Sequence, residues 1–580
     1  MKQTIHLLLL LQLACGSSIE LNSSAAEADV ILHHGKIVTV DKAFSIHQAL
    51  AIQSNRILQV GRDEEVMKRK GPRTEMLDLQ GRMVLPGLMD SHTHPLAAAM
   101  TEFDHPVPQM DTLQDVLDYI RSRTQALAEG EWIVVQQVFI TRLREQRYPT
   151  RAELDRVAPR HPVMFRTGPD ASLNSLALQL SGIDRDFKVT DGGSGFVEKD
   201  PRTGELTGIL RNCRRFVKER PSGRQPSDAD RARRLVELFR DYTGSGITSI
   251  GDRDASLEDL ELYKKLRADG QLKVRVSLSQ YIETLGPMAD IQASVQRVAE
   301  DPLFQERAPF LRIIGVKTYL DGGMLTGSAY LSRPWGVSDI YAISDPGYRG
   351  VLFIPKDRLV AIVRTAVEAG LQFTAYTVGD GAVQALLEAY EEVNRTTPVR
   401  KTRPCISHSN FMSREAVNKL PELGVSVDIQ PAWLHLDART LVQHFGYERL
   451  RWFQPLRSIF ETGGLAGGGS DHMQKIGSLR SLNPYNPFLG MATAITRQAK
   501  WYDGALHPEE ALSREQAIRF YTINNAWLMF CEDRLGSLEP GKLADFAVLD
   551  TDLLTCSEDA IARAQVLKTY VDGKLVFSHE

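Results

Sequence analysis

Two histidines that could bind a metal ion, His92 and His94, directly follow the run Leu-Pro-Gly-Leu-Met-Asp-Ser. In an extended chain, side chains two residues apart point to the same face, so both imidazoles can reach one divalent ion. Taken alone, the pair is equally compatible with two surface histidines on a loop. It predicts a metal site only if further ligands stand at matching positions elsewhere.

Three more residues of suitable type close short apolar stretches further along the chain. These are Lys317 in Gly-Val-Lys-Thr-Tyr, His408 in Cys-Ile-Ser-His and Asp471 in Gly-Gly-Gly-Ser-Asp. Singly, they could be a salt-bridge partner, a core histidine and a helix N-cap. Because nitrogen and oxygen ligands from several strand ends suit zinc or a similar ion, their joint placement predicts a metal centre.

The elements that carry these residues are short apolar strands that alternate with amphipathic helical stretches, such as 358–369 ending at Gly370. Eight strands with intervening helices predict an α/β fold, a (β/α)8 TIM-type barrel with its chemistry at the strand C-termini. The predicted strands are 83–85, 246–250, 272–277, 311–317, 371–375, 404–407, 425–429 and 465–468.

Both chain ends have a different pattern, in which short alternating strands are separated by Gly, Asn or Asp turns. Over 29–85 this pattern predicts an antiparallel sheet, and strands return over 545–549 and 566–571. Asp572-Gly573 predicts a two-residue hairpin turn before the last strand. The stretch 95–242 is too long for one connection, so we interpret it as an insertion that contains a helix over 113–127.

Composition excludes several classes of protein. The 580 residues are 43% hydrophobic and 24% charged, which is typical of a soluble globular chain, and the length suggests more than one structural unit. The net charge of −4 leaves no basic excess for a nucleic-acid partner. No run reaches transmembrane length, and a homo-oligomer is compatible with the sequence.

The first 26 residues predict an export signal, because Lys2 precedes a short apolar run over 7–14 and small residues follow it. A periplasmic or extracellular protein is therefore expected. Lipid attachment at Cys15 is an alternative, weakened by Gln12 where an aliphatic residue is expected. Four cysteines then remain, Cys213, Cys405, Cys531 and Cys556, and their pairing is left open.

The motifs around these residues resemble the amidohydrolase superfamily, in particular the amidohydrolase-3 group that includes N-substituted formamide deformylase-like enzymes. They are Pro-Gly-Leu-Met-Asp-Ser-His-Thr-His, Lys-Thr-Tyr-Leu-Asp-Gly-Gly, Val-Gly-Asp-Gly-Ala, Gln-Pro, and Leu-Gly-Ser-Leu-Glu-Pro-Gly-Lys-Leu-Ala-Asp. The resemblance implies a metal-bearing barrel over 83–530 and a β-sandwich built from 27–82 and 531–580. It also implies metal-dependent hydrolysis of a C–N bond in a small amide, formamide, urea or cyclic imide.

The same resemblance implies roles for the candidate residues. His92, His94 and Asp471 would hold the more buried ion, His408 a second ion, and Lys317 would bridge the two if carboxylated. One or two divalent ions, zinc by preference, would activate a water as hydroxide. Asp471 would take the proton and pass it to the leaving nitrogen.

Two positions depart from the family pattern, since Tyr376 and Asp170 stand where relatives commonly have histidine. The second ion could be weak or missing; Tyr376 could bind metal as phenolate or donate to the oxyanion; or the site could be disabled. We favour the first two interpretations because the other ligand positions are intact. The alternatives to a C–N hydrolase are an impaired amidohydrolase-like binding protein and an esterase-type barrel hydrolase.

Weaker features complete the sequence. Trp433, His435 and Asp437 follow Gln-Pro just past a strand end and are candidates for the substrate pocket, although Trp433 could equally pack a helix onto the barrel. His472 adjoins Asp471 but is expected to point elsewhere. The basic cluster 211–220 is interpreted as a solvated face of the insertion, with contact to an anionic substrate as the alternative.

Overall fold

The computed structural model describes residues 26–579 apart from 137 and 307. The predicted export signal and Cys15 therefore lie outside the described residues, except for Ala26. Within the described part, no helix has both the length and the apolar character needed to cross a bilayer. Its four cysteines are all free thiols, which answers the question of pairing that the sequence left open.

The N-terminal strands divide between two sheets. One sheet has the order β5-β4-β1-β6, and β7-β2-β3 form part of the other. The single antiparallel sheet predicted here was wrong, because β1 pairs in parallel with β6 and β2 in parallel with β7. The strands are β1 Ala28–His33, β2 Lys36–Val38, β3 Ile46–His47, β4 Ala49–Gln53, β5 Arg56–Gly61, β6 Lys70–Asp78 and β7 Met83–Pro86, with helix α1 Asp63–Val66 after β5.

The first barrel strand is β8, Leu88–Thr93, and not the predicted 83–85. β7 pairs instead with β2 of the other sheet, and β8 pairs in parallel with the next barrel strand. Both runs are fully buried, so apolar periodicity could not distinguish them. Gly87 separates them where the chain passes close to Thr248, since a Cβ at Gly87 would lie 2.1 Å from the Thr248 hydroxyl oxygen.

The insertion after β8 contains a five-stranded sheet of order β12-β13-β11-β10-β9. Its strands are β9 Ile133–Gln136, β10 Val163–Thr167, β11 Asp170–Leu173, β12 Phe196–Lys199 and β13 Leu206–Arg211. Its helices are α2 Pro95–Met100, α3 Leu113–Ala126, α4 Arg151–Val157 and α5 Ser175–Ser181. The next helix, α6 Asp228–Gly244, lies in the range predicted for the insertion, but its apolar face packs in the barrel core.

Seven further parallel strands complete the barrel in the order β20-β19-β18-β17-β16-β15-β14-β8, which confirms the predicted fold class. They are β14 Ile247–Ala255, β15 Arg275–Tyr281, β16 Leu311–Tyr319, β17 Gln372–Thr377, β18 Cys405–His408, β19 Ser426–Ile429 and β20 Leu465–Gly468. The barrel closes just beyond β20, where Asp471 N donates to His92 O at 2.8 Å and His94 N donates to His472 O at 2.8 Å.

Helices cover the outside of the barrel, and the chain end returns to the sandwich. The helices after α6 are α7 Leu257–Ala268, α8 Met288–Glu300, α9 Pro302–Gln305, α10 Lys356–Glu368, α11 Asp380–Asn394, α12 Arg414–Leu423, α13 Pro431–Phe445, α14 Leu456–Glu461, α15 Pro487–Thr496, α16 Arg514–Phe520, α17 Ile523–Leu528 and α18 Glu558–Ile561. The last strands, β21 Phe546–Leu549, β22 Val566–Val571 and β23 Lys574–Ser578, extend β7 into a six-stranded sheet.

Candidate metal centre

His92 presents one ring nitrogen to the barrel mouth without a partner. The residue is fully buried near the end of β8, and its Nδ1–H donates to Asp428 Oδ1 at 2.9 Å. This bond fixes the tautomer and leaves the Nε2 lone pair free, the arrangement found in metal-bound histidines. Nε2 has no hydrogen-bond partner among the described residues.

His408, the last residue of β18, has the same arrangement. Its Nδ1–H donates to Gln430 Oε1 at 2.7 Å, and its buried Nε2 has no hydrogen-bond partner within the described chain. Gln430 is oriented by its own Nε2, which donates to Asp428 Oδ1 at 3.0 Å. One carboxylate, Asp428, thereby orients both histidines, directly for His92 and through Gln430 for His408.

Asp471, in the segment after β20, brings an oxygen to these nitrogens. Its Oδ1 lies 3.6 Å from His92 Nε2 and 3.2 Å from His94 Nε2. His92, His408 and Asp471 each offer a ligand atom, and the three atoms lie within 4.8 Å of one another. Buried polar atoms without a partner cost free energy unless a ligand satisfies them. Two orphaned imidazole nitrogens beside a carboxylate therefore fit a divalent ion such as zinc.

The backbone is strained at two of these residues. His408 has φ of 75° and Asp471 has φ of 55°, in the left-handed region that non-glycine residues seldom adopt. Asn483 supports Asp471, because its Nδ2 donates to the Asp471 carbonyl at 2.8 Å. Strain of this kind persists where the surroundings over-determine it, and it is common at functional sites.

Burial controls the charge of the imidazoles. It lowers the pKa of His92 and of His408 to about 3, with Lys317 adding to the effect on His92 and His92 to that on His408. Both rings are therefore neutral near pH 7, which is the form that binds metal. Burial also acts to lower the pKa of His94, but the hydrogen bond and charge of Asp471 outweigh it and raise that pKa.

Asp90 joins the two strands that carry the ligands. Its carboxylate accepts from Ser470 Oγ at 2.5 Å, from Ser470 N at 3.0 Å and from His92 N at 3.0 Å. Burial raises the pKa of Asp90 to about 7. The main-chain segments of His92 and Asp471 are thus fixed to one side chain.

Lys317 lies buried in β16, and its Nζ donates to the carbonyl of Arg253 at 3.2 Å. Burial lowers the pKa of Lys317. The residue lines the same cavity as His94 and Asp471. The structure thus places Lys317 beside the predicted ligands.

Tyr376, in β17, stands next to His408. The two rings meet edge to face at a centroid distance of 4.4 Å, and Tyr319 lies 5.5 Å away on the other side. Burial, and then the carboxylates of Asp321 and Asp471, raise the pKa of Tyr376 well above its ordinary value. The phenol therefore remains protonated, which favours a hydrogen-bond donor over a phenolate ligand.

Asp170, the other departure from the family pattern, is satisfied without a metal. Its Oδ2 accepts from Thr326 Oγ1 and from Ser328 Oγ, both at 2.5 Å, and its Oδ1 accepts from Asn212 N at 2.9 Å. These bonds attach the sheet of the insertion to the segment that follows β16. Asp170 has a structural role in the wall of the site.

A cavity of about 870 Å³ opens above the centre, and His94, Lys317, Tyr376 and Asp471 line it. Trp433 also lines it and stacks on His408 at a centroid distance of 4.9 Å, as one of the sequence interpretations expected. His435 and Asp437, also predicted for the pocket, do not line it.

Two buried side chains, Asp437 and His472, are held by partners outside the centre. Asp437 is held by Arg142 through Nε–Oδ1 and Nη2–Oδ2 contacts of 3.1 and 2.8 Å. His472 accepts from Tyr242 Oη at 2.8 Å, and its Nε2 faces the carbonyls of Gln474 and Lys475, so it points away from the centre as expected.

Sequence reasoning missed the residues that orient the ligands, namely Asp90, Asp428, Gln430 and Asn483. A usable signal existed for Asp428, because a carboxylate inside a fully buried strand requires partners. Gln430 lies in the Gln-Pro motif, but the motif alone assigns no function to this side chain. Asn483 lies in a loop and offered no signal.

Comparisons with known proteins place the chain in a family. A model of the amidohydrolase family matches residues 75–577. The chain is 29% identical over 564 residues to N-substituted formamide deformylase of Arthrobacter pascens, covering 94% of this chain and 98% of that protein.

Solved structures share the fold. An uncharacterized metal-dependent hydrolase from Pyrococcus horikoshii has a TM-score of 0.65 at 21% identity, covering 91% of this chain and 99% of that one. An adenosine deaminase from Xanthomonas campestris with bound zinc has a TM-score of 0.52 at 13% identity, covering 95% of this chain and 93% of that one.

Proposed function

Because the chain belongs to the amidohydrolase family, whose members are metal-dependent hydrolases, we propose that it hydrolyses a C–N bond of a small amide, formamide or cyclic amide. The observation that carries the proposal is the pair of unpartnered Nε2 atoms of His92 and His408, which face the Asp471 carboxylate beneath an open cavity. The similarity to the formamide deformylase of Arthrobacter pascens supports a C–N bond over an ester.

His92, His94, His408 and Asp471 would hold the ion. When bound, a divalent ion supplies Lewis acidity toward the carbonyl and toward water. Asp471 lines the cavity, so its carboxylate can accept a proton from the attacking water and return it to the leaving nitrogen. Tyr376 keeps its O–H and can donate to the oxygen that develops negative charge.

We propose zinc as the ion, because neutral imidazoles and a carboxylate are ligands that zinc prefers. The adenosine deaminase of similar fold, with its bound zinc, is compatible with this choice. A single ion is favoured by Tyr376, whose protonated phenol is a poor ligand where relatives commonly have histidine.

A test of the function combines metal analysis with a substrate panel. The purified chain should contain zinc, and 1,10-phenanthroline should abolish hydrolysis of N-substituted formamides, whereas the non-chelating 1,7-isomer should not. Matched formate esters serve as the alternative substrates. Cleavage of the esters alone would contradict a C–N hydrolase, and a zinc-free protein without turnover would indicate a binding protein.

We also propose that the protein is exported, on the basis of Lys2 and the apolar run over 7–14. Expression with and without residues 2–26, followed by fractionation and N-terminal sequencing, tests this. Retention of an intact N-terminus in the cytoplasm would contradict export, and a lipid on Cys15 would establish the anchored alternative.

A further inference from the structure

Two arginines in the wall of the cavity have no acidic partner. Arg166 extends from β10, and Arg214 follows β13; both line the cavity above the metal centre. Arg214 Nε donates to the carbonyl of Gly168 at 2.8 Å, and Arg166 Nε is buried without a hydrogen-bond partner in the described chain. Among the described residues, neither guanidinium has a carboxylate within 4.0 Å.

Two other charged groups that line the same cavity have side-chain partners. Arg215 Nε and Nη2 contact the Asp191 carboxylate at 2.5 and 2.9 Å. Asp254 accepts from Tyr319 Oη at 2.6 Å. Arg166 and Arg214 thus differ from their neighbour Arg215. Lys317 also lines this cavity and has no carboxylate within 4.0 Å among the described residues, but it lies at the metal centre and donates to the carbonyl of Arg253.

Burial makes an unpaired guanidinium unfavourable in free energy. Burial, and then the positive charge of Arg166, lower the pKa of Arg214 to about 10, so that its cation is destabilised yet present at pH 7. A partly buried cation is normally paired. Two adjacent guanidiniums that face open space therefore form a site where an anion from outside would replace the missing carboxylate.

We propose that Arg166 and Arg214 bind a carboxylate of the substrate, so that the substrate is an N-acyl or N-formyl amino acid. This inference rests on the proposed function. A monoanion is favoured over a phosphate dianion, because Asp254 and Glu283 line the same cavity and would repel the higher charge. In the reaction, water adds to the acyl carbon and the C–N bond breaks. A carboxylic acid and the free amino acid are released.

Two aromatic rings connect this pair to the chemistry. Tyr376 touches His408, and Tyr319 lies beyond Tyr376 at a ring distance of 5.5 Å. Tyr319 and Tyr376 line the cavity together with both arginines. A substrate could therefore place its scissile bond over the centre and its carboxylate against the arginines.

The test compares two probes that differ only in the carboxylate, N-formyl-L-phenylalanine and N-formyl-2-phenylethylamine. Calorimetry on the native chain should detect tighter binding of the acid, and kcat/KM should favour it. Arg214→Met and Arg166→Met should each lower the acid-to-neutral ratio by at least roughly 30-fold, the lower end of the effect of removing one partner of a buried charge pair. Two variants keep the test valid if one fails to fold.

Arg215→Met is the matched control, since its guanidinium already has Asp191 as partner, and it should retain the native ratio. Equal binding of both probes, or an unchanged ratio in both arginine variants, would overturn the carboxylate site. Binding of inorganic phosphate but not of the acid, dependent on Arg214, would also overturn it. Arginine-dependent binding of the acid without hydrolysis would support the site while contradicting the proposed function.

Discussion

At the scale of residues, the centre depends on which atom of each side chain is left free. Asp428 and Gln430 occupy the Nδ1 atoms of His92 and His408, so the Nε2 atoms have no protein partner. Residue type and spacing were sufficient to predict the candidate ligands. They could not predict Asp428, because its contact with His92 joins positions 336 apart in the sequence and exists only after folding.

Asp471→Asn should lower kcat by about 10²- to 10⁴-fold, because an amide cannot accept the proton that the carboxylate takes. The fold should persist, as judged by circular dichroism and the melting temperature. The variant is compared with the native chain at equal zinc content. Retention of most of the activity would exclude Asp471 as the general base.

Asp428→Asn should weaken zinc binding by roughly 10- to 100-fold, since loss of the carboxylate releases the His92 tautomer. Competition with a chromophoric chelator measures the affinity. His472→Gln is the control, because that buried ring adjoins Asp471 but bonds to Tyr242 and to backbone carbonyls. Equal affinities for both variants would contradict an orienting role for Asp428.

Tyr376→His should raise the zinc content per chain, if the phenol is the reason for a single ion. Tyr376→Phe should lower kcat by about 10²-fold with little change in zinc content, as expected for the loss of one oxyanion donor. Elemental analysis and steady-state kinetics distinguish the two effects. An unchanged kcat in Tyr376→Phe would rule out oxyanion contact.

At the scale of elements, the barrel could be predicted because buried parallel strands are short apolar runs between helical stretches. The first strand could not, since β7 and β8 are both buried and only their partners tell them apart. Where two barrel strands approach closely, the sequence has a small residue. A Cβ at Gly315, in β16, would lie 2.1 Å from the carbonyl oxygen of Gln372 in β17.

Gly315→Ala should therefore destabilise the protein by about 1–3 kcal/mol or more, because the backbone of β17 must move. Urea denaturation measures the change in free energy of unfolding. Gly347→Ala is the control, since Gly347 is exposed and its nearest neighbour would be 3.3 Å away. Similar midpoints for the two variants would show that the strands adjust freely.

At the scale of the whole molecule, a buried ion pair joins the barrel to the sandwich. Arg275 in β15 contacts the Asp545 carboxylate at 2.7 and 2.8 Å and Asp572 at 3.1 Å.

Arg275→Met should lower the free energy of unfolding by about 3–5 kcal/mol, because it leaves a buried carboxylate unpaired. Arg457→Met, at an exposed pair with Glu461, should leave the melting temperature almost unchanged, because water screens that pair. Thermal unfolding compares them, and equal shifts would contradict the linking role.

The six-stranded sheet can be completed only late in the synthesis of the chain. β7 is made early, but its neighbour β21 is made only after the entire barrel has been synthesised. Until then one edge of β7 has exposed backbone groups, which invite pairing with other chains. A growing polypeptide thus carries an aggregation hazard from its first hundred residues almost to the end of translation, and holding the chain unfolded by a chaperone during that interval would remove it.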